Sequence, residues 1–399
     1  MQKFGGTSVR DIENRVKCFK KIENELKKNN KVIVIVSAMG RKGEPYATDT
    51  LISLTKEIEG KEKDLLMATG EMISASVFVN DFKNYLIEKN IEKRNVSVLT
   101  GGEAGIITDS NFNQANIIAF ETENLEEAMQ TNDVVIVTGF QGKTKKGEIT
   151  TLGRGGSDTS AVALGIAIKA EKIEIFSDVN GMMSADPKMV ADAKMIRHIN
   201  YEDALNLSYY GAKVIDPRAL EIGKKYNAKI ILKSTFTDDR GTVISSDIIG
   251  ERSIEGNSSV FSGIAYKNEC LRYEIFAEDL QLKSKILTTI KEVGISLDMI
   301  NIEKDGISFI IEEEKERKVN KIISENNLKS NLTKELSKLT IVGERIAGVP
   351  GIMQSIIEPI FAEGIEVVQT SDSHTTICLL VNKNELKKAL CVLHKKFFQ

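Results

Sequence analysis

The chain has 399 residues, of which 41% are apolar and 28% charged, and its formal net charge is −3. That balance belongs to a soluble globular protein with room for more than one domain, and it gives no basic footprint for nucleic acid. No apolar span is long enough to cross a bilayer and no signal peptide stands at the start. The four cysteines (Cys18, Cys270, Cys378, Cys391) have no CxxC spacing and the three histidines (His198, His374, His394) are scattered. The expectation is reduced thiols in a cytosolic protein, with neither a disulfide framework nor a histidine metal site.

The first stretch, Met1 to Val9, sets Lys3 before the glycine pair Gly5-Gly6 and the hydroxyls of Thr7 and Ser8. Ile12, Val16, Phe19, Ile22 and Leu26 then recur at helical spacing. Lysine, glycine turn and helix start together suit a phosphate, although GxxxxGK[ST] occurs nowhere, and an ordinary glycine turn remains open. Val32 to Val36 is a continuous β-branched run and predicts a strand buried on both faces of a parallel sheet. Ser37 and Ala38 end it, and a polar loop runs to Thr48. Ligands gather at the carboxyl ends of such strands, so Ser37 and Thr48 are candidate contacts.

A long helix is predicted over about 61–90, with Glu71 in a packing or capping role. A strand follows over 96–100, then loop through Gly101, Gly105 and Thr108, then a buried strand over Val134 to Thr138 that ends in Gly139-Phe140. The densest stretch in the chain comes next: Thr151-Leu152-Gly153-Arg154-Gly155-Gly156-Ser157-Asp158. Three glycines let backbone approach a ligand, Ser157 or Asp158 can cap the following helix, and Arg154 offers a planar fork to a carboxylate or phosphate. We read it as an anion-handling turn, with phosphate and carboxylate both open. A helix over 161–170 and a strand over Ile173 to Ser177 follow, with Asp178 at the strand's carboxyl end and Asp186-Pro187-Lys188 beyond. Two helices and a strand over 229–233 complete a predominantly parallel α/β part.

From about Thr235 to Ser262 the composition turns to Thr, Ser, Asp, Asn and Gly, a linker with a short strand near 242–245. The remainder predicts strand 271–277, helix 282–293, strands 296–302 and 306–311 and helix 315–326. A second copy follows as strand 338–343, helix 351–363, strands 365–370 and 375–381 and helix 384–397. Two ferredoxin-like βαββαβ units are the simplest reading, suited to regulation or assembly.

Lys3 to Val9 resembles the KFGGTSV signature of aspartokinases, and Thr151 to Asp158 matches their TLGRGGSD motif. Ser177-Asp178-Val179 through Asp186-Pro187 is similar to their nucleotide segment, Lys229 to Thr235 to their IKSTF-type strand, and Gly348 to Gly351 to the entry of an ACT domain. The resemblance runs from end to end. It implies an α/β amino-acid kinase fold over 1–235, a linker over 236–262, and ACT domains over 263–336 and 337–399, the second possibly interleaved with the first. It also implies transfer of the γ-phosphoryl group of ATP, with Mg2+, to the side-chain carboxylate of L-aspartate in lysine, threonine and methionine synthesis. A cytoplasmic homodimer or tetramer with a lysine or threonine effector would follow, without nucleic acid or membrane partners.

By motif, the resemblance makes Lys3 and Asp158 catalytic and gives Ser37, Ala38, Thr48, Phe140, Arg154 and Ser157 to aspartate. It gives Lys3, Gly5, Gly6, Ser8, Ser177, Asp178, Met183, Lys188 and Lys233 to the nucleotide. Asp279, Ser284, Ser296 and Asp298 would meet an effector, and no metal would be ligated directly by the protein. Three departures stand out. Only Met1 and Gln2 precede the KFGG lysine, Met183 replaces a frequent tyrosine, and Asn116 stands where some relatives place a glutamate. Another amino-acid kinase, for glutamate or acetylglutamate, and a catalytically weak effector-binding regulator are the alternatives.

Overall fold

The computed structural model describes residues 1–92, 94–212, 214–246, 260–344, 346 and 349–399. Part of the expected linker and Gly348 of the ACT-like entry lie outside the described residues. The chain divides into two units: residues 1–182, 195–208 and the described part of 213–255 form the first, while 183–194, 209–212 and the described part of 256–399 form the second.

The first unit is built on an eight-stranded sheet. Its order is His198–Ile199, Thr242–Ile244, Ile230–Ser234, Ile173–Ser177, Gln2–Phe4, Val32–Val36, Val134–Thr138, Val96–Leu99, with Ile230–Ser234 and Thr242–Ile244 as its antiparallel pair. Every residue of Val32–Val36 is buried, as the β-branched run predicts. Strand alternation then sorts the side chains. Phe4, Val34, Val36 and Phe176 share one face with the helices Ile12–Leu26 and Gly60–Glu88, where Phe4 stacks on Phe176 at 5.0 Å and Phe19 meets Phe78 edge-on. Ile12 is the exception to the predicted apolar stripe: it is half exposed. Lys3, Ile35 and Ile175 alternate to the other face, which the helix Gly156–Ala167 covers.

A four-stranded sheet, absent from the sequence reading, occupies the stretch expected to be loop. Its order is Ile117–Phe120, Ile106–Thr108, Gln141–Thr144, Ile149–Thr151. It delivers Thr151 to the glycine turn. Fully buried Asp64, on the long helix, fixes that end by accepting the Thr151 N–H at 3.0 Å and the Asn113 amide at 2.9 Å. Among the described residues no helix is long and apolar enough to cross a membrane.

The second unit carries one six-stranded antiparallel sheet, ordered Asp298–Ile302, Gly306–Glu312, Phe261–Phe276, Ser330–Gly343, Thr376–Asn382, Val367–Asp372. The two predicted repeats are present but share their central strands. The strand expected from 271 begins at Phe261, inside the expected linker, and the one expected from 338 begins at Ser330. Residues Cys270 to Phe276 pair with the first repeat's Gly306–Glu312, whereas Phe261 to Lys267 pair with Lys338 to Gly343 of the second. Each repeat thus borrows an extended segment from the other's sequence. The excursion 183–194 is held in this unit by the Ile264 N–H to the Ser184 carbonyl at 2.7 Å, by Tyr266 Oη to Asp186 at 3.0 Å, and by Ser184 Oγ against His394 Nε2 at 2.8 Å.

Candidate active site at the glycine turn

The helix after the glycine turn begins at Gly156, and its N-cap is Gly155 rather than Ser157 or Asp158. Gly155 adopts φ +72°, and a Cβ there would lie 2.0 Å from a carboxylate oxygen of Asp216. Glycine is therefore required twice over, by the left-handed backbone and by the side chain pressed against it. Freed from capping, Asp158 in the first helical turn faces the sheet. Its carboxylate lies 2.6 Å from Lys3 Nζ, with both side chains about nine-tenths buried. Asp158 also accepts the Asp216 N–H at 3.3 Å.

Arg154, four residues upstream, is the opposite case. Its side chain is 91% exposed, and its guanidinium meets Asp49 at 3.2 Å. A carboxylate already sits on the fork, and a ligand carboxylate can displace it. The turn itself is clamped from behind. Arg218 donates to the carbonyls of Leu152 and Arg154, while Asp216 accepts the Arg218 N–H at 2.9 Å and caps the helix Pro217–Lys225. The sequence reading missed this pair, although Asp216-Pro217 is a legible helix start.

The structure brings several expected residues around this turn. Phe140, between the strands Val134–Thr138 and Gln141–Thr144, has φ +69°, an uncommon conformation for a bulky residue. It is held by its N–H on Ser160 Oγ at 3.0 Å and by its carbonyl on the Leu152 N–H. Ser157 packs against Gly139, where a Cβ would come within 2.9 Å of it. Thr48 opens the short helix that carries Asp49.

The Ser37-Ala38 turn rests on Glu71, whose carboxyl oxygen accepts the Ala38 N–H at 3.1 Å. Complete burial raises the Glu71 carboxyl to about 8. Between pH 4.5 and 8 the folded state then keeps a proton that the unfolded chain has lost. Stability falls as pH rises through that window, by on the order of 1 kcal/mol per unit from this group. Glu71→Gln should flatten the decline of Tm between pH 5 and 9; an unchanged slope would remove Glu71 as its source.

Other expected residues are placed differently. Gly5 does not offer its amide to a ligand, because that N–H donates to the Phe176 carbonyl at 3.2 Å. Gly6 is needed for packing, as a Cβ would stand 2.6 Å from the Gly40 carbonyl. Ser8 is fully buried and bonded to Thr235 Oγ1 at 2.7 Å, so it fixes the turn from within. Lys233 is in register with Phe176 and shares its face, the one opposite Lys3, and its ammonium pairs with buried Glu174 at 2.8 Å.

Asp178 pairs with Arg41, whose Nε also donates to Thr7 Oγ1 at 3.0 Å. Arg41 is a second omission of the sequence reading, lying in a loop with no motif around it. Ser177 Oγ turns onto the Val179 backbone. Met183 and Lys188 belong to the excursion in the second unit. Asn116 is turned onto Asp109 at 2.9 Å.

Of the expected effector residues, Asp279 caps the helix Leu280–Glu292 through the Leu282 N–H, and Asp298 is paired with Lys338. Ser284 lies on that helix and Ser296 precedes the strand Asp298–Ile302. A cavity of about 430 Å³ lies instead in the second repeat, lined by Val349, Gly351, Ile352, Gln354, Asp372 and Ser373. Among the described residues no group of three His, Cys, Asp or Glu side chains converges to hold a metal ion.

Comparison with known proteins matches residues 2–234 to the amino acid kinase family and residues 331–395 to the ACT domain. The chain is 37% identical to aspartokinase 1 of Bacillus subtilis over 403 residues, covering 100% of this chain and 98% of that one. It is 31% identical to aspartate kinase of Pseudomonas putida, covering 100% and 97%. Among solved structures, Escherichia coli aspartokinase III in complex with aspartate and ADP superposes with TM-score 0.79 at 19% identity, covering 100% and 99%. The aspartate kinase of Clostridium acetobutylicum gives 0.78 at 22%, covering 99% of each chain.

Proposed function

The chain belongs to the amino acid kinase family and, within it, to the aspartokinases, and on that footing we propose how it holds its two substrates. As an aspartate kinase it transfers the γ-phosphoryl group of ATP to the side-chain carboxylate of L-aspartate, giving 4-phospho-L-aspartate and ADP. The acceptor is a carboxylate at neutral pH, so no general base is needed. The task is to bring two anions together and to stabilise charge on the phosphoryl group in flight.

The observation that carries the reading is one turn with two differently prepared cations. Lys3 is buried and fixed by Asp158, suited to a charge that develops only in the transition state. Arg154 is exposed and holds a replaceable carboxylate, suited to the aspartate α-carboxylate. Asp158 keeps the ammonium oriented, and Ser37, Ala38, Thr48, Phe140 and Ser157 shape the aspartate side of the turn. Asp178, with Arg41 and Thr7, lies towards the nucleotide. Mg2+ would arrive with ATP as part of the substrate and would supply charge neutralisation on its phosphates.

The ACT part binds an amino-acid end product, lysine in the first place and threonine as the alternative, in a cytoplasmic homodimer or tetramer. The product feeds lysine, threonine and methionine synthesis. The catalytic part spans 1–235 and the regulatory repeats 263–336 and 337–399. An ADP-release assay with Mg-ATP and L-aspartate, glutamate or acetylglutamate tests this: turnover is expected with aspartate, and preference for either other acceptor would overturn it.

A further inference from the structure

Beyond Val32–Val36 the chain turns through Ser37 and Ala38, and Arg41 reaches back across the carboxyl ends of three neighbouring parallel strands. Its Nε donates to Thr7 Oγ1 at 3.0 Å, in the turn after Gln2–Phe4, and its Nη2 pairs with Asp178, the residue after Ile173–Ser177. Such a line of strand ends is where an open α/β sheet seats its ligands. The Lys3 ammonium lies at the same glycine turn, since a Cβ on Gly5 would stand 3.6 Å from its Nζ. Two cations thus meet one turn: Lys3 is buried, and the Arg41 side chain is 68% exposed.

The backbone that carries Arg41 is fastened independently of its guanidinium. The Gly40 N–H donates to the Gly6 carbonyl at 3.0 Å, and the Gly43 N–H to Thr50 Oγ1 at 3.0 Å. Glu44 accepts the Arg41 N–H at 2.6 Å and returns its own N–H to the Arg41 carbonyl at 2.9 Å. An exposed ion pair adds little to a loop already held in this way, and it gives way readily to a stronger anion. We propose that Arg41 is a phosphate-binding residue for the nucleotide, its fork exchanging Asp178 for oxygens on the ADP half of ATP while Lys3 serves the transferred phosphoryl group. A polyphosphate brings more negative charge than one carboxylate and offers paired oxygens that suit a planar fork. Asp178 and the phosphates compete for one guanidinium. The inference rests on the reading that the nucleotide lies along Gly5 to Thr7 and Asp178.

The test is Arg41→Met in the full chain, which keeps the aliphatic stem and removes the fork. It is read by titration with ADP at two salt concentrations, by ATP and aspartate KM, and by Tm. ADP affinity should fall and ATP KM rise by roughly 5- to 50-fold, a charge-assisted contact less the Asp178 pair given up for it, with aspartate KM within about 2-fold. ADP affinity should also depend less on salt than in the unmutated chain, because one charge has left the site. Arg41→Lys, which keeps the charge without the fork, should recover part of the affinity and most of the salt dependence. Unchanged ADP affinity in Arg41→Met would overturn the proposal. So would an aspartate KM that rises in step with the ATP KM, because the same loop joins Ala38 to Thr48 and a mere fastener would disturb both substrates. Failure of the aspartokinase reading shows separately, as absence of aspartate-dependent ADP release in the unmutated chain, whereas the ADP titration needs no acceptor.

Discussion

Lys3→Ala should lower kcat by about 10²- to 10³-fold, the cost of deleting one preorganised charge at a centre where charge develops. Lys3 sits between Gln2 and Phe4 on a three-residue strand whose neighbours fix its register on both sides. Its side chain must emerge on the face of the helix Gly156–Ala167, where Asp158 meets it at 2.6 Å. Both groups are largely withdrawn from water, so the ammonium cannot be replaced by solvent, and its orientation is set before substrates arrive. An interaction made mainly in the transition state lowers kcat and kcat/KM together when lost. The aspartate KM should therefore move much less than kcat. Removal also strips a buried carboxylate, Asp158, of its ammonium partner, and some loss of Tm is expected. A kcat within a few-fold of wild type would show that Lys3 is structural.

Arg154→Ala should raise the aspartate KM by about 10- to 100-fold, the equivalent of a hydrogen-bonded charge worth about 1.5–3 kcal/mol. Here kcat should hold up better, because the α-carboxylate carries the same charge in ground and transition states. The arginine side chain is 91% exposed and pairs with Asp49 across the turn, so folding should be little affected. Steady-state kinetics over a wide aspartate range reads the split. A fall in kcat at unchanged KM would move Arg154 from substrate binding to the transfer step.

The large elements were legible because their patterns are local. β-Branched runs such as Val32–Val36 and Val134–Thr138 have little alternative to buried strands, and the glycine stretch at 151–158 signals a special backbone by composition alone. The small sheet was not legible. Gln141–Thr144 reads Gln-Gly-Lys-Thr and has no apolar alternation, and its strands form only because tertiary pairing supplies partners.

The site was half legible for a similar reason. Motifs locate Lys3, Arg154 and Asp158, but they do not say which backbone amides are already occupied or which face a strand residue takes. No motif shows that the Phe176 carbonyl claims the Gly5 N–H, or that Lys233, in register with Phe176, takes the face opposite Lys3. Arg41, Asp49, Asp216 and Arg218 come from loops and helix ends whose neighbours in space lie tens of residues away in sequence. The repeats were counted correctly, but their shared strands were invisible, because a 16-residue strand that serves two repeats looks like a linker followed by a strand.

Phosphoryl transfer should end on the side-chain carboxylate of aspartate at the Lys3–Asp158 centre. An acyl phosphate is trapped by hydroxylamine as the hydroxamate, so the measurement is hydroxamate formed from Mg-ATP and L-aspartate by the unmutated chain and by Lys3→Ala. Aspartyl hydroxamate is expected in step with ADP release for the first, and a loss of both for the second. ADP release without aspartyl hydroxamate, or undiminished hydroxamate from Lys3→Ala, would contradict it.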